Sequence, residues 1–386
     1  MSGGGRPKKN QKKTLSIVLV LALFILLAII ALTLIFGGES EFSGFRGLLS
    51  SDAPVVTATE FTFDVGRDRV FAHMNGSTVG VGSLGIQVFD GEGNETLREP
   101  FQMNEPAISQ SGQRAIAFDI DGTALRVFNA TEIITNIEAN GAIVSASINQ
   151  NGWFCVITHE GGGSRGTVRV YNNNGNEVYT VILGSGFALS AMLSNDNNSL
   201  AILNITSHGS RVAIYRGLDE PKAEPDYAFD FIDGLIIDIF YLQNGNILAL
   251  SMNSLILIDR DGFGNEVYTF HGTRLGGYTF NENFVALHLY DYGLGYSGRL
   301  VTLRTDGTLL EETNINREIV SMCSNNNLLT TLQNDGLSFY TNALEPFILP
   351  RDVAVVTGAN NILLLDENTA LATNDHFAIV IRLREE

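Results

Sequence analysis

Two cysteines, eight prolines and a single tryptophan are all that the 386 residues contain of these types. So few cysteines exclude a disulfide-built scaffold. Cys155 and Cys323 both sit in apolar strand-like context (Trp153–Val156 and Val320–Cys323). They read as small buried hydrophobes on nearly opposite parts of the fold, too far apart to pair. Few prolines beside 40 glycines point to many short strands joined by tight turns. Positive charge is scarce as well: 24 Lys and Arg stand against 42 Asp and Glu. Five of the basic residues (Arg6, Lys8, Lys9, Lys12, Lys13) precede residue 39, and no acid does, so the remainder carries 19 − 42 = −23. An acidic body without a basic stripe excludes a nucleic-acid-binding surface.

Catalytic and metal-binding patterns are missing too. The six histidines (73, 159, 208, 271, 288, 376) form no His-x-x-x-His pair, and no Cys-x-x-Cys occurs, so no transition-metal site is expected. No cofactor is implied. Asp259–Glu266 has some character of a calcium loop but lacks its third ligand position and its Gly-to-Glu spacing, so it reads as a turn. No nucleophile elbow, phosphate loop or paired-carboxylate motif is present.

Long apolar runs are limited to one. Leu15–Phe36 has no charge and only Ser16 and Thr33 as hydroxyl residues. As a helix rising ~1.5 Å per residue it would span roughly one hydrocarbon core. The run is longer than a signal-peptide apolar region and lacks a small-x-small cleavage site after it. The sequence therefore predicts a basic cytoplasmic tail over 1–14, an uncleaved transmembrane helix over 15–36 and a flexible linker over 37–53. The basic residues before the span put the N-terminus in the cytoplasm and the domain over 54–386 outside, in the cell membrane's extracytoplasmic space.

What fills 54–386 is a repeat. Gly175–Thr180 (Gly-Asn-Glu-Val-Tyr-Thr) returns unchanged at Gly264–Thr269, and Gly93–Thr96 echoes its start. These offsets are near twice a period of about 40–45 residues, that of a propeller blade. Each unit contains four short alternating strands, A to D from the axis outward. The third, for example, has Ile143–Asn149, Trp153–His159, Thr167–Tyr171 and Glu177–Leu183. The last unit has only three, Asn361–Leu365, Thr369–Thr373 and Ala378–Leu383. Glu60–Asp64 is available to complete it, which would remove two open sheet edges. The predicted fold is all-β: a β-propeller of eight four-stranded blades, or seven if one A/B pair is misassigned, closed by an N-terminal strand.

In such a ring the B–C and D–A connections share one face. The longest B–C segments, His159–Arg165, Thr206–Ser210 and Tyr290–Tyr296, put His159, Arg165, His208, Tyr290, Tyr292 and Tyr296 on it. Loops carry function, and aromatic side chains anchor many interfaces. These six are the candidate binding residues, for a protein or glycan partner; no catalytic residue is assigned. With the anchor entering from the other face, the B–C/D–A face would point away from the membrane.

In period and strand order the chain resembles repeat propellers of the tryptophan-aspartate and quinoprotein-like kind. Trp153 is the only tryptophan, so it has neither a Trp-Asp dipeptide nor a docking tryptophan in each blade, and quinone-cofactor binding does not carry over. In overall layout it resembles a family of bacterial single-span proteins with an extracytoplasmic propeller domain of unknown function. The resemblance implies a membrane-anchored binding or scaffold module. The alternative on the same fold is an extracytoplasmic glycan hydrolase or lyase.

Overall fold

The computed structural model describes residues 55–384 apart from 162–164, 233, 292–296, 335, 349–355, 357 and 375–376. The tail, apolar run and linker expected over 1–53 lie outside the described residues. Among the described residues no helix is long and apolar enough to cross a membrane.

The described strands form eight four-stranded antiparallel sheets. Seven are built from consecutive strands. Blade 3 has Ala142–Ile148, Phe154–His159, Thr167–Tyr171 and Glu177–Ile182 in order from the axis outward. The eighth takes Asn361–Asp366, Thr369–Thr373 and Ala378–Arg384 from the end of the chain and Val55–Phe61 as its outer strand. Eight blades and closure by an N-terminal strand are therefore as the sequence predicts.

The closing strand is displaced from the predicted Glu60–Asp64, ending at Phe61. Residues beyond it leave the blade because the neighbouring blade offers them better contacts. Phe63 packs edge-on against Phe71 and Phe89 and lies over Gly80, where a Cβ would stand 2.4 Å from its ring. The Asp64 amide donates to Gln87 Oε1 at 2.6 Å. Phe61 and Phe63 thus seal the seam where the ring closes.

The core is divided among the seams. Eight clusters of buried side chains occupy the eight blade-to-blade interfaces. Second strands face a seam on both sides, so they are apolar throughout rather than alternating. In Phe154–His159, Phe154 and Val156 pack towards blade 2 while Cys155 and Ile157 pack towards blade 4. Phe284–Tyr290 is buried at every position. Outer strands have one wet face and alternate, as in Tyr227–Ile232. Each fully buried Leu, Ile or Phe contributes about 1.5–3 kcal/mol relative to exposure.

Polar bonds between innermost strands stitch the seams near the axis. Ser147 donates to the Ala191 carbonyl at 2.6 Å, and Asn149 Nδ2 to that of Ser194 at 2.9 Å. Asn281 Nδ2 donates to the Asn326 carbonyl at 3.1 Å, and Thr279 and Ser324 share a hydroxyl bond of 3.0 Å. Asn and Ser recur at the first-to-second turns because each must satisfy its own turn and reach a carbonyl in the next blade.

The repeated hexapeptide does not occupy equivalent places. In blade 3, Gly175 is the turn glycine (φ 78°), and Asn172 Oδ1 accepts from the Asn174 and Asn176 amides. In blade 5 that work is done two residues earlier, by Gly262 (φ 80°) and Asp259. Gly264 lies within the strand opposite Ile258, with the Phe229 ring where its side chain would be. What the copies share is a bulge at Val178 and at Val267, each skipped in the ladder between paired Glu and Tyr. Gly-Asn therefore serves the turn in blade 3 and not in blade 5.

Candidate functional site

The predicted binding residues fall into three groups. His159, Arg165 and His208 are exposed on the B–C/D–A face of blades 3 and 4. His159 ends the second strand of blade 3, where it is paired with Ala142. His208 sits in a tight turn between Thr206 and Gly209, which are themselves paired, so this connection is short. Tyr290 ends the second strand of blade 6 and is buried, 8% exposed. Its ring stands 4.2 Å from that of His288, with the Arg274 guanidinium 5.2 Å away on the ring face. Tyr292 and Tyr296 lie outside the described residues.

Around the exposed polar residues is an apolar surface that sequence reading missed. The large hydrophobic side chains exposed among the described residues are Leu84, Ile182, Phe187, Leu189, Ile232, Leu235, Met252, Phe263, Leu309 and Val320. Only Phe263 and Leu309 belong to the A–B/C–D side. Ile182, Phe187, Ile232, Leu235 and Met252 follow one another around blades 3 to 5, at outer-strand ends and in D–A and B–C connections. Arg165 joins this arc: its guanidinium lies 5.1 Å over the Phe187 ring, and its amide donates to the Leu183 carbonyl at 3.0 Å. The Met252 amide donates to the Leu235 carbonyl at 3.2 Å, which holds those two side chains side by side. Phe187, at the start of an innermost strand, is 52% exposed, and Ile232, on the wet face of its outer strand, is 71% exposed. The signal available in the sequence was an apolar residue placed just outside the core alternation, as in Ser185-Gly186-Phe187 and Gly234-Leu235.

The axis presents a different surface. On the A–B side a cavity of about 650 Å³ is lined by first strands and first-to-second turns of all eight blades. Its wall combines half-buried Phe71, Met192 and Phe240 with Gln110, Asn195, Glu282 and Asn325. Deeper in the channel wall, Asp238 accepts from the Tyr278 hydroxyl at 3.2 Å and from the Ile239 amide at 2.9 Å. Burial pushes the Asp238 carboxyl above its ordinary value; the two hydrogen bonds pull the other way. Burial together with that neighbouring carboxylate pushes the Tyr278 phenol up to about 12. Glycoside hydrolysis ordinarily uses two carboxylates, and no second one is among the groups that shift Asp238. Among the described residues no group of three or more His, Cys, Asp or Glu is placed to hold a metal ion.

Fold and surface together define a β-propeller with exposed apolar side chains on its B–C/D–A face and a cavity of mixed polar and apolar lining at its axis. The chain belongs to the family of unknown function DUF5711, which matches residues 53–343. No curated protein matches it. Among solved structures it is similar to the C-terminal WD40 domain of Sif2, with a TM-score of 0.61 at 12% identity, covering 86% of this chain and 99% of that one. It is also similar to the quinohemoprotein alcohol dehydrogenase ADHIIG of Pseudomonas putida HK5, with a TM-score of 0.54 at 11% identity, covering 86% of this chain and 76% of that one. At such identities the likeness shows the propeller fold alone.

Proposed function

We propose that this protein is a non-catalytic binding module, held to a membrane by Leu15–Phe36 with its propeller on the extracytoplasmic side. The B–C/D–A face of blades 3 to 5 receives a protein partner. The observation that carries this reading is the exposed arc of Ile182, Phe187, Ile232, Leu235 and Met252, edged by His159, Arg165 and His208. Monomeric proteins seldom leave large contiguous apolar patches wet, and interface cores are apolar with arginine and aromatic anchors. An apolar arc favours a protein over a glycan at this face, since sugars present mainly hydroxyls. The anchor rests on the uncharged 22-residue run and on the five basic residues before it, which favour a cytoplasmic N-terminus.

The test is cross-linking and affinity capture of the full chain from its own membranes, followed by Phe187→Asp and Ile232→Asp. Loss of one reproducibly captured protein from both variants, with unchanged thermal melting, supports the reading. Retention of every captured protein by both variants overturns it. A cysteine introduced before Thr14 and protected from an impermeant reagent in intact cells supports the orientation; labelling from outside contradicts it.

A further inference from the structure

We propose that the axial cavity on the A–B side is a second and separate binding site, for a neutral carbohydrate. Its volume, about 650 Å³, lies within the range of small-molecule sites, roughly 300–1,000 Å³. All eight blades contribute to its wall, so a ligand there is gripped from every side by the innermost strands, which are tied to one another across the seams. Sites on rigid elements hold ligands more accurately than sites on loops.

The wall selects the ligand's chemistry. Among the described residues no lysine or arginine lines the cavity, so a phosphate, nucleotide or carboxylate ligand would find no counter-charge there. The titratable groups facing it include His73 and Glu282. Burial lowers the His73 imidazole and raises the Glu282 carboxyl, each towards its neutral form. The remaining polar lining is carboxamide, hydroxyl and the Cys323 thiol. The side-chain amides of Gln150 and Asn195 stand at least partly open to the cavity, and the half-buried His73 imidazole lies in its wall. Planar amides supply donor and acceptor side by side, matching adjacent sugar hydroxyls. Half-buried Phe71 and Phe240 offer apolar faces on which the C–H side of a pyranose ring can lie. Phe240 is itself braced by Phe280 at 5.8 Å. Neutral amides, hydroxyls and aromatic faces around a concave site suit a polyhydroxylated, uncharged molecule.

The test is saturation-transfer NMR and calorimetry on the full chain in detergent micelles. The probes are neutral trisaccharides of α- and β-linked glucose and of N-acetylglucosamine, with trialanine amide and inorganic phosphate as comparisons. We expect at least one trisaccharide to bind with its ring C–H protons in contact, and Asn195→Ala and Phe240→Ala each to weaken it about tenfold, the loss of one good contact. If Phe240→Ala does not fold, the surface variant Gln150→Ala combined with Asn195→Ala decides the matter through binding at unchanged melting temperature. No binding by any of the trisaccharides, preference for the peptide or phosphate, or sugar binding that the Gln150/Asn195 double variant leaves intact overturns the proposal. Phe187→Asp, on the opposite face, should leave sugar binding untouched, so this site and the protein-binding face stand or fall separately.

Discussion

The Tyr278 hydroxyl donates to the Asp238 carboxylate at 3.2 Å, joining the innermost strands of blades 5 and 6 in the channel wall. Burial dominates the electrostatics and raises the Asp238 pKa above its unfolded value. Above the unfolded pKa the folded state therefore holds the proton more tightly than the unfolded chain does. Ionised Asp238 costs stability that grows as pH rises through the window from the unfolded to the folded pKa. Asp238→Asn should raise the melting temperature at pH 7 and have less effect near pH 4. Tyr278→Phe removes a bond that favours the carboxylate; it should cost about 1 kcal/mol and move the Asp238 titration further upward. Thermal melts across pH 4–8 and a carboxyl NMR titration check both. Equal effects of Asp238→Asn at the two pH values would contradict the assignment.

His288 acts in the opposite sense. It is fully buried in the seam between blades 6 and 7, beside Phe284 and Ala286 on the same strand, and both ring nitrogens lack a partner among the described residues. Burial lowers its pKa to about 4. The unfolded chain binds this proton at higher pH than the folded protein does, so stability falls as pH drops from about 6.5 towards 4. His288→Leu keeps the site filled and removes a desolvated polar group. It should stabilise by about 1 kcal/mol at pH 7 and by more at pH 5. Urea midpoints at the two pH values measure this, and a midpoint shift that does not grow on acidification would refute it.

The pattern of legibility follows from what repeats. Blade number and strand order were readable because each second strand must be apolar on both faces and each turn needs Asn, Asp or Gly at fixed positions, as at Asn149–Gly152 and Asp259–Gly262. The end of the closing strand was not, because Phe61 and Phe63 are both buried while only the first belongs to the blade. Alternation alone cannot distinguish packing in a sheet from packing across a seam. Tyr290 looked like a loop aromatic from its neighbours Asp291 and Gly293, yet it is the last residue of the strand and is buried. The apolar arc was only partly legible: Phe187 follows Ser185-Gly186 just outside the core alternation, whereas Ile232 sits on the wet face of an outer strand, where a single exposed apolar residue is ordinary.

The two thiols should differ in reactivity. Cys155 is fully buried, its sulfur 3.3 Å from the Ala191 carbonyl, and burial pushes its pKa up to about 12. Cys323 lines the axial cavity and is partly exposed, its sulfur accepting from the Leu364 amide at 3.3 Å, with a pKa also raised by burial. Thiol reactivity needs both thiolate and access. At pH 8 a small maleimide should modify Cys323 slowly and Cys155 only after denaturation, read as one and then two adducts by mass spectrometry. Two adducts on the native protein would contradict this placement.

The two copies of Gly-Asn-Glu-Val-Tyr-Thr should respond differently to the same substitution. Gly175 needs its left-handed backbone (φ 78°), a conformation that Asn tolerates better than Ala. Gly175→Ala should therefore cost about 1 kcal/mol through the backbone plus the shift of Thr135, whose side chain lies 2.9 Å from where a Cβ would stand. With Thr135→Ala making room, Gly175→Asn should cost less than Gly175→Ala. Gly264 has no such backbone demand; its constraint is the Phe229 ring, 2.3 Å from where a Cβ would lie. There Gly264→Ala should cost about 1–3 kcal/mol through overpacking, and the larger Gly264→Asn should cost more. The diagnostic is the order of Ala and Asn at each site in chemical denaturation. A reversed order at position 264 would mean that the second copy does serve the turn, as the identical string first suggests.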